Sequence, residues 1–553
     1  MKVVILALVL LTNFAWFAET KPAPAPAPSG PSRNVSQTSP IKLRSELDRV
    51  LSEVSDPAAF NVKNCTSYVR ETYQLVVGLT PQSFDFDHTK SNWGAIYDQL
   101  WAVRVKLRER FQDFFKERGA QDADVRQCSD ALRDGFRLTR YLEDYLAESF
   151  SGEPQDFKAG QPKNVADPKF KATPFRGASP WTVINPRFKR LTLRSGDVII
   201  SRGNAYTSSA IARIGNIDSQ FSHLAFIYVA GDGDGKEYTI EEAIENPKVL
   251  VLEAHIEVGS TIRKLKEYLD DGNSRNVLYR FTGDAGQAHR AAQWTYNYIQ
   301  DFRERAYRAN PSYPREDVNY NVPYNFRMGL DSTNKPQELF CSQVAHAGFQ
   351  IEGIQIPLFL STMNTRLSLP KRMEITTQKF FAPGDMEVDP RFDMIAEYRN
   401  LRKLQGVRMK DMVLSGMYRM MEEGYELTPV PQVALKGAFA WFMRQMDAKF
   451  VKPQLPKNMN WKIINTTFAL ERAAIFIEKE LAKKEASHKR AHRGLPLGFT
   501  EGLTHVEQVK ARDRELYLNG RPPGFHWDFR PPNLEPRRRI PSGETTTESK
   551  KTD

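Results

Sequence analysis

Three short segments carry residues that could do chemistry together. Leu193–Arg202 reads Leu-Arg-Ser-Gly-Asp-Val-Ile-Ile-Ser-Arg, a turn running into a strand. Phe221–Tyr228 places His223 at the start of an apolar strand, and Glu338–Ala345 places Cys341 in the first turn of a predicted helix. A thiol attacks as its thiolate, so a nucleophilic cysteine needs help at neutral pH. A helix N-terminus offers partial positive charge and free N–H groups. A nearby imidazole takes or shares the proton. A third polar group must orient that imidazole, and the strand-like run Val249–His255 offers Glu253 and His255. Singly, each has a plainer reading. A lone cysteine in an apolar helix is a small buried hydrophobe, the histidine a polar strand edge, the glutamate a solvated carboxylate.

Taken in order, Gly-Asp-Val-Ile-Ile-Ser-Arg, Ser-His-Leu-Ala-Phe-Ile-Tyr, Val-Leu-Glu-Ala and Phe-Cys-Ser-Gln-Val resemble the YaeF/YiiX group of permuted papain-like cysteine hydrolases. That group is a circularly permuted branch of the NlpC-type superfamily, and His223 precedes Cys341 as the permutation requires. The resemblance covers residues 190 to 355. It implies Cys341 as nucleophile, His223 as general base and Glu253 as the third polar member. His255 shares the strand face of Glu253 by two-residue alternation and stays open as an alternative. The family often has an acidic residue after the cysteine-serine pair, where this chain has Gln343. It often has a Tyr-Asp pair before the nucleophile, where this chain has Tyr324-Asn325. The backbone N–H of Cys341 is the expected oxyanion donor, with Tyr324 and His255 as further substrate or oxyanion candidates. The implied chemistry is acyl transfer through a thioester, without metal or cofactor. His223, Glu253 and His255 could instead bind zinc, but Cys341 completes a catalytic set with fewer assumptions.

The elements that must position these residues follow from patterning. Residues 1–18 read as a signal peptide: a charged start, the apolar run Val3–Leu11 and small residues up to Ala18. Residues 19–40 are a Pro/Ala-rich linker. Residues 41–150 carry apolar residues at helical spacing, among them Trp93, Ile96, Leu100, Val103 and Leu107, and read as a helical bundle. Cys65 and Cys128 fall in this bundle and could form one disulfide in an oxidising compartment; otherwise they are two small core residues. Residues 151–189 read as a connector, 190–380 as the permuted papain-like domain, 385–490 as helical, and 491–553 as an extended, largely disordered tail. Short β-rich runs followed by helices give an α+β class, with an antiparallel sheet and a nucleophile helix flanked by N- and C-terminal helical regions. Ile395, Tyr398, Leu401 and Leu404 are counted in the second helical region, and the apolar loop Ile354–Met363 as a possible substrate loop or as core.

The chain has 553 residues, enough for about three or four units. Three cysteines are too few for a disulfide framework or a Cys-rich zinc module. The net charge is +11 and the pI about 9.3, yet both signs are interspersed and no nucleic-acid-binding signature occurs. No nucleic-acid partner is therefore expected, nor any transmembrane span in the mature chain. The leading expectation is an exported, periplasmic or secreted cysteine amidase or peptidase. Its substrate would be a peptide or acyl-amide of the cell envelope, with peptidoglycan peptides suggested by the wider superfamily. A lipid-directed thiol acyl hydrolase or acyltransferase, and a non-catalytic envelope-binding or scaffold protein, are the alternatives. Oligomeric state is not legible.

Overall fold

The computed structural model describes residues 41–77, 83–150, 180–231, 235–271, 273–330, 336–375, 377–400, 403–446 and 458–532. The signal segment, the linker, most of the connector and the last part of the tail lie outside the described residues.

Four helices form the N-terminal bundle: α1 Leu43–Ser55, α2 Cys65–Val77, α3 Phe86–Arg118 and α4 Ala123–Phe150. Their order follows from their stripes. Trp93, Ile96, Leu100, Val103 and Leu107 on α3, and Leu132, Phe136, Leu142 and Leu146 on α4, are all buried. Asp85 caps α3 by accepting from the His88 N–H, and Gly119, at φ 78°, ends it in a conformation that side chains disfavour. Cys65 and Cys128 form a disulfide between α2 and α4, 63 residues apart in sequence.

A seven-stranded antiparallel sheet carries the site. Its strands are β1 Pro180–Ile184, β2 Val198–Arg202, β3 His223–Val229, β4 Val249–His255, β5 Gly259–Lys264, β6 Arg275–Phe281 and β7 Phe392–Asn400. Their spatial order is β1-β7-β6-β2-β3-β4-β5. Alternation sends Leu224, Phe226 and Tyr228 into one core and Ala225, Ile227 and Val229 into another. The first core also holds α5 Ala285–Ala309 and α6 Cys341–Ile351. The chain is therefore mixed α/β around an antiparallel sheet, with helices before and after it.

Bundle and sheet meet through buried charge. Glu397 of β7 lies 2.7 Å from Arg104 of α3. Arg275 of β6 and Arg399 of β7 both reach Asp144 of α4, at 2.6 and 2.5 Å. Burial opposes charge on Glu397, but Arg104, Arg399 and Arg275 hold its carboxyl down at about 2.

Three sequence expectations need correction. Part of the connector, Pro180–Ile184, is the edge strand of the sheet. The stretch read as the start of a helix is β7, paired to β6 and β1. Its residues are buried on both faces, and a bulge between Met394 and Ala396 breaks the alternation, so no two-residue period remains to be read. The sheet thus takes strands from residues 180 to 400, beyond the span 190–380. The tail is also more ordered than its composition implies. Helix Phe499–Leu518 buries Leu503, Val506, Val509 and Tyr517, and Asp513 accepts the backbone N–H groups of Phe525 and His526 at 3.0 Å each. Between these, α7 Leu404–Glu422, α8 Pro431–Gln445 and α9 Trp461–Ala491 are helical, and Met412, Met417, Met420 and Met421 are core. Among the described residues no helix is long and apolar enough to cross a membrane.

The disulfide closes a long loop and so restricts the unfolded chain. Replacing both cysteines by alanine (C65A/C128A) is expected to cost about 4 kcal/mol in chemical denaturation; a loss under about 1 kcal/mol would deny the crosslink a stabilising role.

Candidate active site

Strand register brings the acid and the histidines together. Phe226 pairs with Leu252 and Ile227 with Val251. The same register places His223 opposite His255, with Glu253 one diagonal step away on the same face. His223 Nε2 lies 2.7 Å from Glu253 Oε2, and His255 Nε2 lies 3.1 Å from the same oxygen. The two rings stack at 4.6 Å between centroids. Arg263 of β5 donates to the other carboxylate oxygen and pairs on with Asp271. Glu253 is fully buried and has a partner on each oxygen.

The nucleophile follows a bridge between Tyr324 and Leu339. Leu339 N–H donates to the Pro323 carbonyl at 2.9 Å, and Asn325 N–H to the Leu339 carbonyl at 3.2 Å, pinning the chain just before α6. Phe340 immediately precedes that helix, and Cys341 is its first residue. The thiol lies beside the His223 ring, and both line one cavity. With Nε2 held by Glu253, Nδ1 is the nitrogen left for sulfur. Cys341 is 4% exposed and is the free cysteine, set against a cavity of about 180 Å³ that His223, Glu253, His255 and Tyr324 also line.

The electrostatics follow from these contacts. Burial alone disfavours a charged His223, but its bonds to Cys341 and Glu253 outweigh burial and push its pKa up to about 10. Burial alone would raise the Cys341 thiol. The His223 ring, the Ser342 hydroxyl and the Leu224 N–H pull it below its ordinary range instead. Burial also opposes charge on Glu253, yet His255 and His223 hold its carboxyl well below the usual range. Both shifts favour a thiolate–imidazolium pair resting on a buried carboxylate.

Tyr324 is buried and lies beside Cys341 on the same cavity. Burial first, then the sulfur and Glu257, drive its pKa well above normal, so it stays a proton donor. With the Cys341 N–H at the helix start, this gives two donors beside the attacking atom.

Every candidate from the sequence except the bundle cysteines Cys65 and Cys128 converges here. Glu253 touches His223 directly, and His255 buttresses the carboxylate. Arg263 was missed, because nothing in its local sequence marks the arginine that crosses from β5. The two positions that depart from the family pattern meet: Asn325 Nδ2 donates to Gln343 Oε1 at 3.2 Å. Gln343 Oε1 also accepts the Phe340 N–H at 3.4 Å, so it caps the nucleophile helix. The loop Ile354–Met363 is core: Phe359 packs on Phe111 of the bundle, with ring centroids 5.9 Å apart, and its carbonyl accepts from Arg133 at 2.7 Å.

The ligand atoms of His223, Glu253 and His255 lie within 4.8 Å of one another, the spacing of a three-ligand metal site. A guanidinium already bound to Glu253 opposes a dication on the same carboxylate, and one His223 nitrogen faces a thiol. Comparison of the chain with protein-family models, curated proteins and solved structures finds no match.

In Glu253→Gln the ring loses its charged acceptor. The His223 titration, followed by its ring NMR signals, is expected to fall from about 10 toward the ordinary histidine range; an unchanged titration would remove Glu253 from the account.

Proposed function

We propose that this chain is a thiol hydrolase acting through a cysteine acyl-enzyme, on a domain with permuted papain-like topology. The observation that carries the reading is one cavity lined by Cys341, His223 and Glu253, with the His223 ring bonded to the buried Glu253 carboxylate. The order of parts fits the permutation: strands bearing the histidine and the acid precede the helix bearing the nucleophile.

The Cys341 thiolate adds to a substrate carbonyl, and the new oxyanion takes hydrogen bonds from the Cys341 N–H and the Tyr324 hydroxyl. His223 gives its proton to the leaving amine or alcohol as the C–N or C–O bond breaks, leaving a thioester. Water then enters, His223 takes its proton, and hydroxide adds to the thioester carbonyl. Collapse releases the carboxylic acid and restores the thiolate–imidazolium pair. Glu253 holds the ring in the orientation both steps need and stabilises its charge. His255 and Arg263 fix the carboxylate in turn.

We place the protein outside the cytoplasm, as an exported hydrolase of envelope acyl or amide bonds. The signal-like start and the Cys65–Cys128 disulfide support this, since such bonds persist in oxidising compartments.

The direct test is labelling by an acylating or alkylating activity probe. Wild type is expected to gain one adduct, on Cys341, and Cys341→Ala none; an unlabelled wild type with unchanged phenotypes in Cys341→Ala would defeat the reading. Tyr324→Phe is expected to lower kcat by roughly a hundredfold to a thousandfold with a smaller effect on KM. Hydrolysis should fall as pH rises through about 10, where His223 loses the proton the leaving group needs. Dialysis against EDTA should leave turnover unchanged, and a loss restored by zinc would turn the same residues into a metal site.

A further inference from the structure

We infer that α8 docks the protein on a membrane: its outer face lies on a bilayer surface that carries anionic lipids. Such docking is independent of the chemistry at Cys341.

The helix α8 has two unlike faces. Val433, Gly437 and Arg444 are buried on one of them. Gly437 lies so close to α9 that an added Cβ would come within 1.8 Å of Asn465 Oδ1. Arg444 donates to Asn319 Oδ1 at 2.8 Å. This face is the one fixed to the rest of the chain. Away from it, Leu435, Phe439 and Phe442, with Met446 just past the helix end, follow one another at helical spacing and are between 47 and 72% exposed. Trp441 is exposed beside them. Single exposed apolar side chains are ordinary, but a contiguous stripe of bulky ones marks a surface that meets a partner.

The surrounding charge selects that partner. From Pro431 to Ile463 the sequence carries six basic residues and one acid, Asp447. Lys436 is exposed on α8 itself. Trp461 and Lys462, exposed at the start of α9, line one cleft with Ala434 of α8. Lys371 and Arg372 line it too, as do Glu374 and Glu426, and Arg372 pairs with Glu426 at 3.3 Å. Lysines beside Trp, Phe and Leu on an outward helix face are the pattern of a helix lying in a lipid–water interface, whereas the cores of protein–protein interfaces are depleted in lysine. Anionic headgroups answer the positive charge, and the apolar stripe passes between them to the acyl boundary. A second copy seated by twofold symmetry would instead bring the same basic patch against itself. At 15 residues α8 is too short to span a bilayer, so its place is the surface.

The test is flotation of the full chain with vesicles of phosphatidylcholine alone, or of phosphatidylcholine and phosphatidylglycerol in equal parts. The mixed vesicles are expected to bind at least roughly tenfold more tightly, and added salt to weaken that binding. The triple variant Leu435→Gln/Phe439→Gln/Phe442→Gln should lose roughly a hundredfold in affinity for the mixed vesicles. Lys436→Glu/Lys462→Glu should lose about tenfold, and reads the charge separately should the first variant fail to fold. Both change only exposed side chains, so their circular dichroism should match wild type. No binding to either vesicle, equal binding to both, or binding untouched in the variants overturns the proposal. A wild-type dimer that the triple variant turns into a monomer, with no vesicle binding, gives the face to a second copy and overturns it as well. So does vesicle binding that appears only when residues 447–457 are replaced by a Gly/Ser linker, which would give the face to that segment of the chain.

Discussion

The site depends on one buried carboxylate. Glu253 has no exposure to water, so its charge survives only through the partners around it. His223 and His255 share one oxygen and Arg263 takes the other. In return the carboxylate fixes the His223 ring, spends its Nε2, and leaves one nitrogen for sulfur. Remove the carboxylate and two histidines and an arginine crowd together without a counter-charge. The Cys341 sulfur thus stands at the end of a line of acidic and basic groups that begins at Asp271 and Arg263.

Holding that chain in register takes most of the molecule. The turn between β4 and β5 needs Gly259 at φ +74°, where an added Cβ would lie 2.3 Å from the Val322 carbonyl. That close approach lets Ser260 N–H reach the same carbonyl at 2.9 Å and brings the Tyr324 loop over the site. The loop is pinned again by Leu339, by Asn458 and by the Asn325–Gln343 amide pair. Two carboxylates at those positions would repel at that distance unless one were protonated; two amides donate and accept without that cost. Behind the sheet, Arg104, Glu143, Asp144, Arg275, Glu397 and Arg399 bind the bundle to β6 and β7. The flanking helices are in this sense part of the site's foundation.

How much was legible in the sequence depended on whether a signal was local. Cys341 at a helix start and His223 at a strand start were readable, because each sits where its own segment changes period. Glu253 and His255 were readable by alternation, although only the strand register shows that both reach one oxygen. Arg263 was not readable, since its role is set by a cross-strand neighbour. β7 was misread because a strand buried on both faces, and bulged, has lost its two-residue rhythm, while Ile395, Tyr398 and Leu401 happen to fall at helical spacing. The ordered helix at Phe499–Leu518 was masked by the Pro- and Arg-rich run after it.

The central claim is that Cys341 is a thiolate at neutral pH because His223 is an imidazolium held by Glu253. The rate of iodoacetamide alkylation against pH measures this most directly. Cys65 and Cys128 are joined, so the unreduced protein reports on Cys341 alone. The account predicts a rate already at its plateau near neutral pH, with His223→Ala moving the rise up toward the ordinary thiol range of about 8.5. A wild-type rate that climbs only through that ordinary range, unchanged in His223→Ala, would contradict it.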